Sequence, residues 1–345
     1  MTKIPAVLLV LSALCTPLSA ELVEVVSTLS TYGSIAREIG GDRVRVQSIA
    51  RGDEDAHFVK PKPSFALMLK RADLLVTTGL DLELWEPVVV DKSGNRAIRD
   101  GQSGYVRASE GVPLLDVPAN ASREAGDVHI YGNPHVHTSP IAAGTIAANI
   151  AAGLSRVDPE GAKIYSRNLD RFQQRLDIAL FGAELVEILD GDLLRSLTEQ
   201  GRLVSFLESQ DLDGSALIDR LGGWLGKGLS FRGRKIIAYH KNWIYFTSLF
   251  GLDVVNFVEP KPGIPPSARH VKKLIDQIEE QRIEVLIAAS YFDPKKPATI
   301  ADRTGCQAVI LPLGTGVSGV DDYFSLLDLW VDSLSEAFST TGGEQ

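Results

Sequence analysis

Short apolar runs of strand length recur along the first third of the chain, separated by amphipathic or turn-rich stretches. Leu22–Ser27, Val44–Ile49 and Leu74–Thr77 are such runs, and Tyr32–Ile39 between the first two has the spacing of a helix. Strand, helix and strand at this spacing are typical of a parallel α/β sheet. We therefore predict an α/β lobe here, with its ligand site beyond the carboxyl ends of the strands.

The same alternation returns in the last third of the chain. The predicted strands there are Lys235–Tyr239, Val254–Phe257, Val285–Ala288 and Gln307–Leu311, and the predicted helices are Trp243–Phe250, Arg269–Gln281 and Asp322–Phe338. A second parallel-sheet α/β lobe is therefore expected, although no strong sequence repeat relates it to the first.

Helical patterns fill the middle of the chain. Asp91–Asp127 is a long polar connection around the strand-like Val112–Leu115, and Ile141–Leu154 is a helix of small residues. Asp158-Pro159-Glu160 then begins a longer helix that would carry the chain from one lobe to the other, because proline suits a first helical turn. The apolar face predicted for this helix contains Ile164, Leu169, Phe172, Leu176 and Ile178.

These patterns divide the chain into segments. We assign residues 21–155 to the N-terminal lobe, 156–180 to the inter-lobe helix and 181–345 to the C-terminal lobe. The Leu-rich stretch Phe181–Ser230 is broken by several glycines and predicts a helical insertion of short helices in the second lobe. No chemistry is evident in it.

The first twenty residues have the pattern of a secretory signal peptide. Lys3 is followed by the apolar run Ala6–Leu14, which is too short to span a bilayer, and by the small-residue site Leu18-Ser19-Ala20. We expect cleavage after Ala20 and a soluble periplasmic product. Leu14 before Cys15 is a poor match to a lipoprotein signal.

Composition and charge narrow the classes of function. With 44% apolar residues the chain can bury substantial cores, and its formal net charge of −9 argues against a nucleic-acid partner. After removal of a signal peptide, Cys306 is the one remaining cysteine, so an internal disulfide is excluded. We expect Cys306 to be buried beside the last strand.

Histidines mark the candidate chemistry. The loop Gly132–Pro140 holds His135 and His137, with His129 just upstream, and prolines on either side would steady the ring directions. Neutral imidazole is a common ligand of zinc, copper, iron and nickel. The alternative is a solvated loop without a metal, because a short His-rich tract is only a compositional indication.

Two further histidines follow predicted strands. His57 lies in a loop with alternating prolines, which predicts extended backbone, and His240 directly follows a strand of the second lobe. Each alone fits a surface residue equally well. If the two lobes face each other, however, His57, His135 and His240 would meet in the cleft, and with one carboxylate they would form a four-coordinate site suited to zinc.

Several motifs occur together in this chain. They are Asp55-Ala56-His57 through Ser64, Thr78–Trp85, Asn133-Pro134-His135, His240, Glu259-Pro260 through Ser267, and Pro294-Lys295 through Gly305. Together they resemble a known family, the periplasmic zinc- and manganese-binding receptors of ABC importers, whose two lobes are joined by one long rigid helix. The resemblance covers nearly the whole chain after the signal peptide, except Phe181–Ser230.

The resemblance implies that His57, His135 and His240 are metal ligands. The chain departs from the family in two places: His137 stands where members often carry a tryptophan, and Leu311–Gly314 lacks the aspartate ligand that manganese and many zinc receptors carry in that loop. We predict Asp293 as the fourth ligand, although a helix-capping role before Pro294 is an equal alternative. Other candidates for the fourth position are Asp321, Asp322, His137 and a water molecule.

The function implied is capture of one divalent metal and its delivery to an ABC importer permease in the membrane, without catalysis, by a monomer. Zn²⁺ is the expected cargo, because manganese prefers oxygen ligands, and Mn²⁺ is the alternative. His129 and His137 are either auxiliary metal-capturing residues or solvated ones, and His270 is expected at a surface or in packing.

Two rivals from other classes are weaker. The His135-Val136-His137 pair would suit a metal-dependent hydrolase, but no His-Glu-x-x-His or nucleophile motif accompanies it. A receptor for a metal chelate such as a haem would need an aromatic-lined pocket.

Overall fold

A four-stranded parallel sheet forms the frame of the first lobe. The computed structural model describes residues 21–118, 129–259, 264–317 and 319–341, so the predicted signal peptide lies outside the described residues. The strands are β1 (Val23–Leu29), β2 (Val44–Ala50), β3 (Leu74–Thr77) and β4 (Tyr105–Arg107), in the order β2-β1-β3-β4. The three strands predicted in this lobe are confirmed to within two residues.

The prediction of a strand at Val112–Leu115 is wrong, and the fourth strand lies earlier in the chain. β4 is Tyr105–Arg107, which pairs with β3, whereas residues 112–115 are irregular. Pro113 has no N–H to give to a strand ladder, and Val112 donates its N–H to Ser109 in a turn instead. The apolar residues of this stretch pack in a loop.

Helices cover both faces of the first sheet. They are α1 (Ser30–Gly40), α2 (Pro63–Lys70), α3 (Glu86–Ser93) and α4 (Ala143–Val157). Helix α1 packs against α4 and against the long helix Ala162–Phe181 on one face, and α2 packs against α3. Helix α2 begins at Pro63, where a helix tolerates proline.

The long helix α5 (Ala162–Phe181) follows a 3-10 turn at Pro159–Gly161. Its 20 residues span about 30 Å and contact helices of the first lobe and of the insertion. Its buried face is Tyr165, Phe172, Leu176 and Leu180, whereas the predicted member Ile178 is 41% exposed. Ile178 is two positions from Leu176 and therefore faces the opposite side of the helix.

Asp158 anchors the start of this helix to the first lobe. Its carboxylate accepts hydrogen bonds from Arg43 Nε (2.7 Å), Arg43 Nη2 (2.9 Å) and Tyr165 Oη (2.5 Å). The Arg43 guanidinium is the main reason why the pKa of Asp158 falls to about 2. A carboxylate with a depressed pKa stabilises the fold above its unfolded-state pKa of about 3.9.

Asp158→Asn is therefore expected to lower the free energy of unfolding at pH 7 by about 2 kcal/mol. The difference from wild type should be complete above about pH 4 and should disappear as the pH falls through about 2, since wild-type Asp158 is then protonated. Urea unfolding across this pH range measures it. Asp170→Asn, at an exposed position of the same helix, is the control, and an equal loss in both variants would contradict the assignment.

The stretch after α5 confirms the predicted short helices and adds a small antiparallel hairpin. A pairing of Arg195 with Asp177 links this insertion to α5. Its elements are α6 (Ala183–Leu189), α7 (Gly191–Glu199), α8 (Leu203–Ser209), β5 (Asp211–Leu212), β6 (Ser215–Ala216) and α9 (Gly223–Gly228).

The second lobe repeats the topology of the first. Its parallel sheet has the order β8-β7-β9-β10, so in both lobes the second strand in sequence occupies the edge beside the first. The elements are β7 (Lys235–Ala238), α10 (Ile244–Phe250), β8 (Asp253–Phe257), α11 (Ala268–Gln281), β9 (Val285–Ala289), α12 (Lys295–Thr304), β10 (Gln307–Leu311) and α13 (Tyr323–Thr341). The four strands predicted here are confirmed to within one residue.

One apolar core runs through both lobes. It joins residues of the first sheet, α4 and α5 to the second sheet and to α13. Trp330 of α13 and Trp243, just before α10, are buried in this core. Cys306, just before β10, is buried as predicted. None of the described helices combines the length and apolarity needed to cross a bilayer. The proposed boundaries at 155/156 and 180/181 stay a prediction.

Candidate metal centre

The structure brings together the three histidines that the sequence singled out. The ring centroid of His57 lies 5.1 Å from that of His135 and 6.4 Å from that of His240, and the last two are 6.1 Å apart. His57 follows β2, His240 follows β7, and His135 lies in the loop before α4. Their role as metal ligands stays a prediction.

His57 is fixed by its own turn. Ala56–Phe58 is a 3-10 turn, so the expectation of extended backbone at His57 is wrong; extended backbone begins at Val59, nearer the prolines. Asp55 Oδ1 accepts the His57 backbone N–H (3.0 Å) and lies 2.8 Å from His57 Nδ1. Trp85 Nε1 holds the turn by donating to Ala56 O (2.7 Å). A proton on Nδ1 leaves the Nε2 lone pair available to a metal.

His135 is held in the same way by an amide. Asn133 Oδ1 accepts the His135 backbone N–H (3.0 Å) and lies 2.9 Å from His135 Nδ1. The second lobe braces Asn133: its Nδ2 donates to Lys241 O (2.9 Å), and Tyr245 Oη donates to Asn133 O (2.6 Å). His135 Nε2 is buried with no hydrogen-bond partner among the described residues. A buried nitrogen left in this way suits a metal ion.

His240 has a carboxylate beside it. Glu259 Oε2 lies 2.9 Å from His240 Nδ1, although the two are not aligned for a hydrogen bond. His57 and His135 thus each have an oxygen acceptor at Nδ1, which leaves Nε2 as the nitrogen for a metal, whereas Glu259 lies near His240 Nδ1 without a hydrogen bond. Such outer acceptors orient metal-binding imidazoles and raise their basicity.

The electrostatic environment keeps the central rings neutral. Burial lowers the pKa of His135 well below its usual value, and the charges of His57, His137, His240 and His129 lower it further. Burial, followed by the charge of His57, lowers the pKa of His137 to about 3. The neutral imidazole is the form that binds metal.

The space beside His57 and His135 is small. A cavity of about 20 Å³ is lined by His57, His135, His137 and Tyr291, among others, and His240 does not line it. This volume accommodates one water-sized particle and is far below the roughly 300 Å³ at which small-molecule sites begin. The larger apolar cavity of about 240 Å³, between α4 and the insertion, is lined by none of the histidines. The histidine cluster therefore does not favour a chelate.

The histidine rings lie close together, but their nitrogen atoms are not positioned to bind one metal ion as they stand. No set of three or more His, Cys, Asp or Glu side chains in residues 21–118, 129–259, 264–317 and 319–341 is arranged to hold a metal ion as it stands. The donor set fits a transition metal, and the ring positions require adjustment to bind one.

The candidates for the fourth ligand lie in different surroundings. Asp293 is exposed, and its Oδ1 accepts the Lys295 N–H (3.0 Å) at the start of α12, which is the capping role given above as the alternative. Asp322 accepts from Ser325 N and pairs with Arg175, and Asp321 is exposed. His137 is buried edge-on to Tyr32, 6.3 Å between centroids. Asp293 as a ligand stays a prediction.

Sequence reasoning missed the positioning roles of Asp55, Asn133 and Glu259. For the first two a signal was present: each stands two residues before a histidine, in Asp55-Ala56-His57 and Asn133-Pro134-His135. That spacing lets one oxygen accept both the backbone N–H and Nδ1 of the histidine. Glu259 approaches its histidine from the bend after β8, and the motif Glu259-Pro260 gave no indication of its proximity to His240.

The loop after β10 makes a backbone contact with the first lobe. Gly314 N donates to Gly52 O (3.1 Å), and both glycines are buried. A Cβ on Gly52 would lie 2.4 Å from Gly314 O and 2.5 Å from Thr315 O. The loop Leu311–Gly314, which has no aspartate where many members of the similar family carry one, therefore contacts the first lobe in the same loop as His57.

Known proteins resemble this chain over nearly all of its length. The family described as "Zinc-uptake complex component A periplasmic" matches residues 25–179 and 215–337. The iron-binding protein YfeA of Yersinia pestis is 25% identical over 328 residues, which are 93% of this chain and 88% of that protein. The manganese ABC transporter substrate-binding lipoprotein PsaA of Streptococcus mitis is 29% identical over 326 residues, 93% and 91% of the two chains.

A solved structure confirms the fold. The crystal structure of ZnuA superposes with a TM-score of 0.66 at 20% identity, covering 92% of this chain and all of that one. The unmatched residues 180–214 fall in the predicted insertion.

Proposed function

This chain belongs to the zinc-uptake complex component A family of periplasmic substrate-binding proteins, and from that premise we propose that it captures Zn²⁺ and delivers it to an ABC importer permease. The observation that carries the proposal is the proximity of the His57, His135 and His240 rings, whose centroids lie 5.1–6.4 Å apart, with an oxygen acceptor at Nδ1 of His57 and of His135. The chain acts in the periplasm, as a monomer and without breaking a covalent bond.

Donor chemistry favours zinc over manganese, the metal named for one of the relatives. Three imidazoles suit zinc, copper, nickel and iron, whereas manganese prefers oxygen donors. The carboxylates near the rings, Asp55 and Glu259, lie beside Nδ1 atoms, where they orient the histidines. Leu311–Gly314 offers backbone in place of the acidic ligand of manganese receptors.

Release requires the ligands to separate. His57 and His135 belong to the first lobe and His240 to the second, so a small displacement of the lobes removes one donor from the others. Docking on the permease would supply that displacement by favouring the state that binds metal less well. The affinity must be high for capture and still reversible.

Chelator-stripped protein is expected to take up one Zn²⁺ per chain and to retain it when an equal concentration of Mn²⁺ competes, because imidazole donors favour zinc. Native mass spectrometry of residues 21–345 measures the bound mass directly. Preferential uptake of manganese would contradict the assignment of the cargo, and uptake of neither ion would contradict a metal receptor. Copper and nickel bind imidazole sites at least as well as zinc does, so their binding would not identify the physiological cargo.

A further inference from the structure

A fourth histidine, His129, lies against His57 and His135. His129 Nε2 is 3.2 Å from His57 Nε2, and the centroid of its ring is 5.2 Å from that of His57 and 6.4 Å from that of His135. His129 comes from the loop that leads to Asn133, six positions before His135 in sequence, and is partly buried. The contact thus joins the loop before α4 to the turn after β2.

The separation of these two nitrogens matches that of two donors on one zinc ion. Zinc binds imidazole nitrogen at about 2.0–2.1 Å, and a tetrahedral arrangement then places any two donors about 3.3–3.4 Å apart. The observed 3.2 Å needs little change to receive an ion between the two rings. Asp55 at Nδ1 of His57 keeps the proton away from the atom that faces His129.

We propose that His129 is the fourth zinc ligand of this protein. The inference rests on the proposed function, since it concerns the same ion. It gives the site four neutral nitrogen donors, His57, His129, His135 and His240, and a net charge of +2 at the metal and its ligands. Asp55 and Glu259 offset that charge from the Nδ1 side.

The backbone near His129 lets the ring follow the ion. Gly132 N donates to His129 O (3.2 Å), closing a turn, and Asn133 N donates to Leu115 O (2.8 Å). Between these anchors Ile130 and Tyr131 are about half exposed, at 52% and 53%. The turn can therefore shift without disturbing a core, while Asn133 keeps His135 in place.

His129→Ala is expected to bind zinc about 10-fold more weakly or worse than wild type, because losing a ligand costs at least as much as losing an outer-shell partner. X-ray absorption spectra of the zinc-loaded proteins should count four imidazole donors in wild type and three, with one oxygen, in the variant. Competition with a chromophoric chelator measures the affinity. Thermal unfolding of the metal-free proteins should be nearly unchanged, since the ring lies in a surface turn.

His270→Ala is the matched control. His270 lies on α11, and its Nε2 is 2.8 Å from Phe257 O of β8, outside the histidine cluster. Its zinc affinity and donor count should equal those of wild type. Equal affinity and four imidazoles in His129→Ala would overturn the inference while leaving the receptor function standing. A wild-type protein that took up no zinc would overturn both. Asp293→Ala tests the competing ligand: a loss there together with an unaffected His129→Ala would reassign the fourth position.

Discussion

His135→Ala is expected to weaken zinc binding by about 100-fold or more. Loss of an outer-shell partner already costs about 10- to 100-fold, and this change removes the ligand itself. His135 is 3% exposed, and its Nε2 has no hydrogen-bond partner among the described residues, so no neighbouring group replaces it. Chelator competition on metal-stripped protein gives the affinity.

The companion variants His57→Ala and His240→Ala should lose affinity to a similar degree, because each removes one donor from one ion. His270→Ala again serves as the control. Circular dichroism and thermal unfolding of the metal-free variants separate loss of a ligand from loss of the fold. Tight zinc binding that persisted in all three histidine variants would place the ion elsewhere.

Gly52→Val is expected to weaken both the fold and the metal site. A Cβ at this position would meet Gly314 O at 2.4 Å and Thr315 O at 2.5 Å, and backbone cannot move aside as a flexible side chain can. The lobes must separate locally, which should destabilise the protein by about 1–3 kcal/mol or more. Because Gly52 and His57 share one loop, we also expect zinc affinity to fall by about 10-fold, equivalent to about 1.4 kcal/mol.

Gly144→Ala is a matched control for Gly52→Val. Gly144 lies in α4, and an added Cβ would meet only Leu176 Cδ2, at an ordinary 3.7 Å. Alanine there should be neutral or slightly stabilising, because it favours the helix. Urea unfolding and zinc titration of both variants form the comparison. An unchanged zinc affinity in Gly52→Val, with reduced stability, would show that the Gly52–Gly314 contact does not influence the ions held nearby.

The sheets could be predicted from the sequence because their signals are local. β3 coincides with its predicted run, since a strand buried on both faces reads as an uninterrupted apolar segment. β4 could not be found in this way. It has three residues, Tyr105–Arg107, and its identity depends on pairing with β3 thirty residues earlier in the chain.

The candidate site was predictable in part for the same reason. The positions of His57 and His240 after strands, and of His135 between prolines, indicated a shared cleft. The fourth position depends on contacts between distant segments: Asp293 lies where it caps a helix, whereas His129 reaches His57 across 72 positions of sequence. A spacing rule within one segment cannot reveal such a pair.

Asn133 links the orientation of the His135 ring to the contact between the lobes. Its amide oxygen faces the His135 ring, and its amide nitrogen donates to Lys241 O in the other lobe. Both contacts therefore depend on the orientation of one planar group. A lobe that withdrew would release the amide to rotate, and the ligand ring would lose its orientation in the same event. We therefore expect no long-lived half-open state that still holds its ion. The permease in the membrane would then encounter this protein only in its metal-bound or its metal-free state.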